Sequence, residues 1–348
     1  MKKDVFILFF CTFALQMDRI LITGASGFIG SFIVEEALRK GFETWAAVRK
    51  SSSREFLKDE RIHFIELNLS SEEDLKRQLA DVQFDYVVHA AGVTKCLNAA
   101  DFRRINTEGT QHLVKALIAT HQPLKRFVFI SSLSIMGAIR EQQPYTEILE
   151  TDAPQPNTAY GLSKLEAERW LDALNADFPY VVLRPTGVYG PRERDYFLQI
   201  KSIKNHTDFA VGFTRQDITF IYVTDVVQAV FLALEKGQTG RKYLLSDGEV
   251  YQSATFSDYV HEELGRPWWI RIKAPIWLLR IITFCGEYWG RWTKKMTALN
   301  KDKFNILRQR NWRCDISPAR QELGFEPQVK LKEGVRRSIR WYKENKWI

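Results

Sequence analysis

Tyr160 and Lys164 stand four residues apart in the segment YGLSK, a spacing that puts phenol and ammonium on one face of a helix. A lysine beside a tyrosine lowers the cost of forming phenolate, so the pair could exchange a proton with a carbonyl or alcohol oxygen near neutral pH. Lys164 could also hydrogen-bond ribose hydroxyls and tie the proton donor to a bound coenzyme. Ser131 and Ser132 follow the apolar run RFVFI at 126–130. Hydroxyls at the C-terminal end of a parallel strand lie where such folds bind ligands, and Ser132 is expected to hydrogen-bond the reacting oxygen beside Tyr160. Ser131 and Ser134 read as turn residues. No histidine and acid partner accompanies Ser132, so it is not expected to act as a covalent nucleophile.

These residues need a platform, and ILITGASGFIG at 20–30 supplies it. A β-branched strand runs into three glycines at spacing three, the strand–turn–helix arrangement that holds a dinucleotide pyrophosphate at a helix N-terminus. Gly24 makes the turn, Gly27 lets backbone approach the diphosphate, and Gly30 lets the helix pack close to the sheet. Ser26, Phe28 and Ile29 complete the expected cofactor turn. The next strand ends in Val48, Arg49 and Lys50, where an acidic residue would have held the ribose hydroxyls of NAD. Arg49 can form a bidentate pair with a 2′-phosphate, supported by Lys50 and the hydroxyls of Ser51 to Ser53. The expected coenzyme is therefore NADP(H), with NAD(H) as the alternative.

The remaining chain alternates strand and helix. Strands are expected over 62–66, 86–89, 126–130 and 180–183, and helices over 71–79 (capped by Ser70), 106–119 and 157–174. This implies a doubly covered Rossmann-type parallel sheet of the α/β class. The dinucleotide domain is expected to comprise 17–185 and 218–247, and a smaller substrate lobe 186–217 and 248–348. The 348 residues are 45% apolar, enough for one large core and a lobe. Net charge is +8 without a long basic block, which favours an anionic cofactor or an anionic membrane surface over nucleic acid. The four cysteines have no paired spacing, which points to a reducing, cytoplasmic setting and against a structural metal site. Residues 1–16 carry the 11-residue apolar run VFILFFCTFAL, too short to span a bilayer comfortably. They read as a dispensable extension ahead of MDRILITGASG, with an export signal or a peripheral hydrophobic anchor as the alternatives.

Taken together, TGASGFIG (23–30), HAAG (89–92), NTEGT (106–110), FISS (129–132), YGLSK (160–164), RPTGVYGP (184–191) and YVTDVVQA (222–229) resemble the extended short-chain dehydrogenase/reductases of the NAD-dependent epimerase/dehydratase superfamily. The resemblance implies a Ser-Tyr-Lys site at Ser132, Tyr160 and Lys164, with Asn106 supporting the helix geometry and a water network. It implies cofactor contacts from Ala90, Ala91, Gly92, Pro185 and Val188, and from Asn68 and Leu69. At position 68 the family usually has aspartate beside the adenine. Members that dehydrate nucleotide sugars carry an acidic pair directly after the catalytic hydroxyl, whereas this chain has Leu133-Ser134.

Five tryptophans fall between 268 and 292, with Arg271, Lys273, Arg280, Arg291, Lys294 and Lys295 among or beside them. Such a segment reads either as a lid or dimer contact over an apolar cavity, or as a peripheral contact with an anionic membrane. The VRK strand end resembles the flavonol-reductase and 3β-hydroxysteroid-dehydrogenase side of the superfamily, and the aromatic segment favours an apolar substrate cavity. The expected activity is therefore NADPH-dependent reduction of a ketone, reversible from the alcohol, on a bulky apolar or lipid-like substrate. A nucleotide-sugar epimerase or reductase is the alternative enzyme, and a dinucleotide-responsive binding protein the non-enzymatic one.

Overall fold

The computed structural model describes residues 17–96, 98–174, 177–293 and 301–348, with side chains to 286 in the helix Ile276–Thr293. The apolar run at 5–15, Lys294 and Lys295 lie outside the described residues, as do the side chains of Trp289, Arg291 and Trp292.

The seven-stranded sheet runs, edge to edge, through Lys242–Leu245, Tyr180–Pro185, Arg126–Ile130, Tyr86–His89, Arg19–Thr23, Glu43–Val48 and His63–Glu66. Every pairing in it is parallel. Arg19–Thr23 pairs with Glu43–Val48 on one side and Tyr86–His89 on the other. The strand order therefore reverses at Thr23, and the crevice beyond its C-terminal end is where an open α/β sheet takes a ligand.

Alternation along the strands builds two cores. Ile20, Ile22, Val88, Val128 and Leu183 turn to one face, toward Ile33 of the helix Phe28–Arg39 and Val230 of Val223–Lys236. Leu21, Val87, Phe127 and Val182 turn to the other, toward Leu113 of Gly109–Ala119 and Leu171 of Ala159–Asp172. A third core beside the sheet gathers Tyr189, Ile203, Phe220 and Phe256 with the last helix, Leu331–Glu344. Tyr342 of that helix donates to the carbonyls of Gly190 and Glu193, both at 2.9 Å.

Three element starts differ from expectation. Ser71, rather than Ser70, caps Glu72–Leu79 by accepting from the Asp74 N–H at 3.2 Å, while Ser70 bonds to Asn68. The segment at 106 begins inside a wide π-type turn, Arg103–Glu108, before the α-helix proper. The Tyr160 helix starts at Ala159, where Thr158 accepts from the Gly161 N–H at 2.9 Å.

Candidate active site

The glycine turn is built by contact constraints that leave no room for side chains. Gly24 has φ +69°, and a Cβ there would lie 2.7 Å from the Ala90–Ala91 peptide. A Cβ on Gly30 would lie 2.1 Å from the Gly24 carbonyl oxygen. Gly27 is exposed in extended backbone at the helix N-terminus, with its own N–H on the Gly24 carbonyl at 2.8 Å. The first helical turn carries no acidic residue, so its free N–H groups and dipole face the crevice uncompensated. A dinucleotide diphosphate fits this cradle. Ser26, Phe28 and Ile29 are partly exposed around it. Arg192, at the far end of RPTGVYGPR, donates to Ser31 at 2.9 Å and packs over Phe32, pinning this helix to the loop after Tyr180–Pro185.

Arg49 and Lys50 are exposed just past the second strand, with the Arg49 N–H on Ser52 Oγ at 3.0 Å. Asn68 is also exposed, but its amide is engaged locally: it donates to Asp74 at 2.8 Å and accepts from Ser70 at 2.6 Å. The Leu69 carbonyl lies 3.0 Å from His112 Nδ1. Pro185 ends its strand buried, and Val188 is half-buried on the next short strand.

A hydrogen-bond relay that the sequence reading did not anticipate connects the glycine turn to the catalytic side. Thr110 donates to the Asn106 carbonyl at 2.6 Å, which leaves its oxygen to accept from His89 Nε2 at 2.9 Å. His89 Nδ1 must then accept from Thr23 at 2.7 Å, and Thr23 in turn accepts from the Ala91 N–H at 3.3 Å. Burial, with Lys164 nearby, pushes the His89 imidazole down to about 3, so it is a neutral spacer. Asn106 continues the connection. Its Oδ1 takes the Val93 N–H at 2.8 Å, and its Nδ2 donates to the Val93 carbonyl and to Ser163 Oγ, each at 3.0 Å. Ser163 donates to the Tyr160 carbonyl at 2.8 Å. Asn106 thus holds the Tyr160 helix against the loop after Tyr86–His89 and has both amide hydrogens engaged.

Lys164 is buried. Its Nζ donates to the Ile130 carbonyl at 2.8 Å, lies over Phe129 at 4.6 Å, and would sit 3.2 Å from a Cβ on Gly92. Desolvation pushes the ammonium down to about 8, with Glu168 acting the other way. Glu168 is committed to Arg184 at 2.6 Å and to Ser131, so Ser131 serves a buried structural ion pair. Burial pushes the Tyr160 phenol up to about 12, opposed by a hydrogen bond with Ser132. The Ser132 hydroxyl also holds the turn after its strand, accepting from the Ser134 N–H at 3.1 Å. Lys164 thus stands beside Gly92, and Ser132, whose hydroxyl acts on the Tyr160 phenol, follows the C-terminal end of the neighbouring strand Arg126–Ile130. One further residue reaches this helix from the far end of the chain: Asp302 accepts from the Ala159 and Tyr160 N–H groups at 2.9 and 3.3 Å, a carboxylate set on the N-terminus of Ala159–Asp172.

A model of the NAD dependent epimerase/dehydratase family matches residues 20–246. The chain belongs to this family. It is 26% identical to the UDP-glucose 4-epimerase of Vibrio cholerae, over 94% of this chain and 97% of that one. It is likewise 26% identical to human dTDP-D-glucose 4,6-dehydratase, over 94% and 90%. The crystal structure of the dTDP-glucose 4,6-dehydratase from Streptomyces venezuelae with NAD bound superposes with a TM-score of 0.77, covering 94% of this chain and 98% of that one at 21% identity. Membership makes the protein an NAD(P)-dependent oxidoreductase of the extended epimerase/dehydratase type.

The same matches correct three expectations. The coenzyme reading of NADP(H) is overturned by relatives of this fold solved with NAD. A solvated Arg49 tolerates a ribose bearing free hydroxyls and excludes nothing. The lipid-like ketone is overturned by relatives named for nucleotide sugars. Part of its structural ground fails too, since Trp268 and Trp277 are 69% and 65% exposed. The leaning toward flavonol reductases and 3β-hydroxysteroid dehydrogenases falls with it. No helix among the described residues is long and apolar enough to cross a membrane.

Proposed function

We propose that this chain is an NAD-dependent epimerase acting on a nucleotide sugar, inverting a hydroxyl-bearing carbon by transient oxidation to a ketone and reduction from the opposite face. The observation that carries epimerisation over dehydration is the residue after the catalytic serine. Leu133 is 1% exposed and packed in the core, and Ser134 holds the turn, so no acid or base stands there for elimination at a neighbouring carbon. Proton transfer is left to Tyr160, with Ser132 orienting the same oxygen.

NAD, held by Gly24, Gly27 and Gly30 at the helix N-terminus and by Lys164 on its ribose, would take up a hydride and return it. The chain's residues manage the proton. The O–H proton of the sugar passes to the Tyr160 phenolate as the carbon is oxidised, and returns to the ketone oxygen as the carbon is reduced, so net redox change is zero. A phenol held near 12 needs help to ionise near neutral pH; Ser132 gives part of it, and the Lys164 ammonium, on the same helical face, would give more once substrate and coenzyme close the site. The cofactor contacts proposed for Ser26, Phe28, Ile29, Arg49, Lys50, Leu69, Ala90, Ala91, Gly92, Pro185 and Val188 rest on their place around this crevice. Asn68 is proposed as a loop-holding residue beside it. The partner proposed besides the small molecule is an anionic bilayer surface, on the separate ground of an outward apolar face.

The test is incubation of the purified protein and NAD with UDP-glucose, UDP-N-acetylglucosamine and dTDP-glucose, followed by proton NMR. The expected product is the epimer of one of them without accumulated NADH. A 4-keto-6-deoxy product would establish dehydration instead, and inertness toward all three beside turnover of a simple ketone would overturn the nucleotide-sugar reading.

A further inference from the structure

Two strands of the C-terminal region, Thr207–Val211 and Ile270–Ala274, pair in parallel apart from the main sheet, with Thr207 opposite Ile270 and Phe209 opposite Ile272. The ribbon has inverted polarity. Its inner face carries charge: Asp208 is 1% exposed, accepts from Ser257 at 2.9 Å and pairs with Arg271 at 2.7 Å, and Arg271 also reaches Asp258 at 2.6 Å. Its outer face carries Phe209, Ile270 and Ile272, all among the exposed large apolar residues, beside an exposed Trp268 stacked on His206. Arg266 is exposed ahead of the second strand, while Lys273, exposed near its end, alternates onto the Arg271 side. The chain then passes through Pro275 into the helix Ile276–Thr293, where Trp277, Ile281 and Phe284 recur at spacings of four and three on its exposed side and Leu279 and Thr283 are buried on the other. Arg280 is exposed on this helix.

Exposed apolar residues scattered singly need no explanation, whereas a ribbon and a helix that both turn their apolar sides outward mark an interaction surface. We propose that this face docks on the surface of an anionic bilayer. Aromatic side chains with cations among them suit the boundary between acyl chains and phosphates, with rings inserted and arginine reaching the headgroups. The net charge of +8 works in the same direction. A two-fold contact between copies fits less well, because it would set Arg266 and Arg280 near their own counterparts. The contact is peripheral, and it rests on this outward face independently of the substrate assignment.

The experiment is co-sedimentation of the full chain with vesicles of phosphatidylcholine alone and of phosphatidylcholine with phosphatidylglycerol, at low and high salt. Binding is expected to the anionic vesicles and to weaken with salt. A Trp268→Ser, Ile272→Ser, Phe284→Ser variant and an Arg266→Glu, Arg280→Glu variant should each bind those vesicles at least about tenfold more weakly. Both should retain the NAD affinity and secondary structure of the parent, which separates lost docking from lost folding. Vesicle binding that survives both sets of substitutions would assign it to another segment, such as the apolar run at 5–15, and overturn the proposal. A solution dimer dissolved by the same serine substitutions, with no vesicle binding, would overturn it in favour of contact between copies.

Discussion

In the proposed mechanism Lys164 is needed for chemistry, and it is costly to bury, so replacing it by methionine should stabilise the apoprotein while abolishing activity. The ammonium is 4% exposed and falls from its ordinary 10.5 to about 8. At about 1.4 kcal/mol per pH unit, keeping it charged at pH 7 costs on the order of 3 kcal/mol. Methionine has similar length and adapts to irregular space. It also leaves the Ile130 carbonyl without its 2.8 Å donor and forgoes the contact with Phe129, together a loss of about 2 kcal/mol. The net expectation at pH 7 is a gain of about 1 kcal/mol, roughly 2–4 °C in Tm. The sign of the pH dependence follows from the lowered value: the lysine protein gains stability relative to the variant as pH rises from 8 toward 10.5, where the unfolded chain also loses its proton. The stability difference should therefore reverse to favour wild type near the top of that window. Urea unfolding of both apoproteins at pH 7 and pH 10 measures it. A variant less stable than wild type by the same amount at both pH values would refute the reasoning that this ammonium is held at a desolvation cost.

Three further outcomes are expected. Tyr160→Phe should lower turnover by about 10² to 10⁴ with NAD affinity unchanged by fluorescence titration, and an active variant would remove Tyr160 from proton transfer. Gly30→Ala puts a Cβ 2.1 Å from the Gly24 oxygen; because the obstacle is backbone, NAD binding or folding should be lost, while a normal NAD titration would show that the turn can shift. Asp302→Ala removes a carboxylate from two N–H groups at the start of the catalytic helix. It should lower kcat/KM about tenfold, the equivalent of about 1.4 kcal/mol, with Asp302→Asn recovering part of it because the amide oxygen still accepts, and equal activity in all three proteins would make Asp302 an ordinary surface contact.

The parts of this site that were legible in the sequence are those fixed by local backbone. The glycine spacing in 24–30 is dictated by contacts among residues of one turn and the neighbouring strand end, and the strands Tyr86–His89 and Arg126–Ile130 fall where their apolar runs begin and end. Tyr160 and Lys164 share a face by helical spacing alone. The His89 relay and Asp302 could not be read in this way. Thr23 meets His89 across 66 residues of chain, and Asp302 meets Ala159 across 143, distances at which only the completed fold decides who touches whom.

The coenzyme and substrate readings failed for a different reason, which concerns direction more than distance. Arg49 is a charge in a solvated loop, and a charge in solvent states what a site tolerates without stating what it rejects. In IRIKA at 270–274, period-two alternation would ordinarily bury one set and solvate the other, and sequence habit buries the isoleucines. The structure reverses the assignment because Asp208 and Asp258 stand on the inner side to pair Arg271. Once that ion pair is satisfied inside, Ile270 and Ile272 are obliged to face out, and Trp268 and Trp277 stand exposed with them. Of the aromatic residues that suggested an apolar substrate cavity, Trp268 and Trp277 therefore belong to the outside of the molecule, while Trp269 packs half-buried against the third core. Substrate preference has to be sought instead in the side chains around Ser132, Tyr160 and Gly92, among them Phe102, whose ring stands edge-on to Tyr160 with centroids 6.2 Å apart.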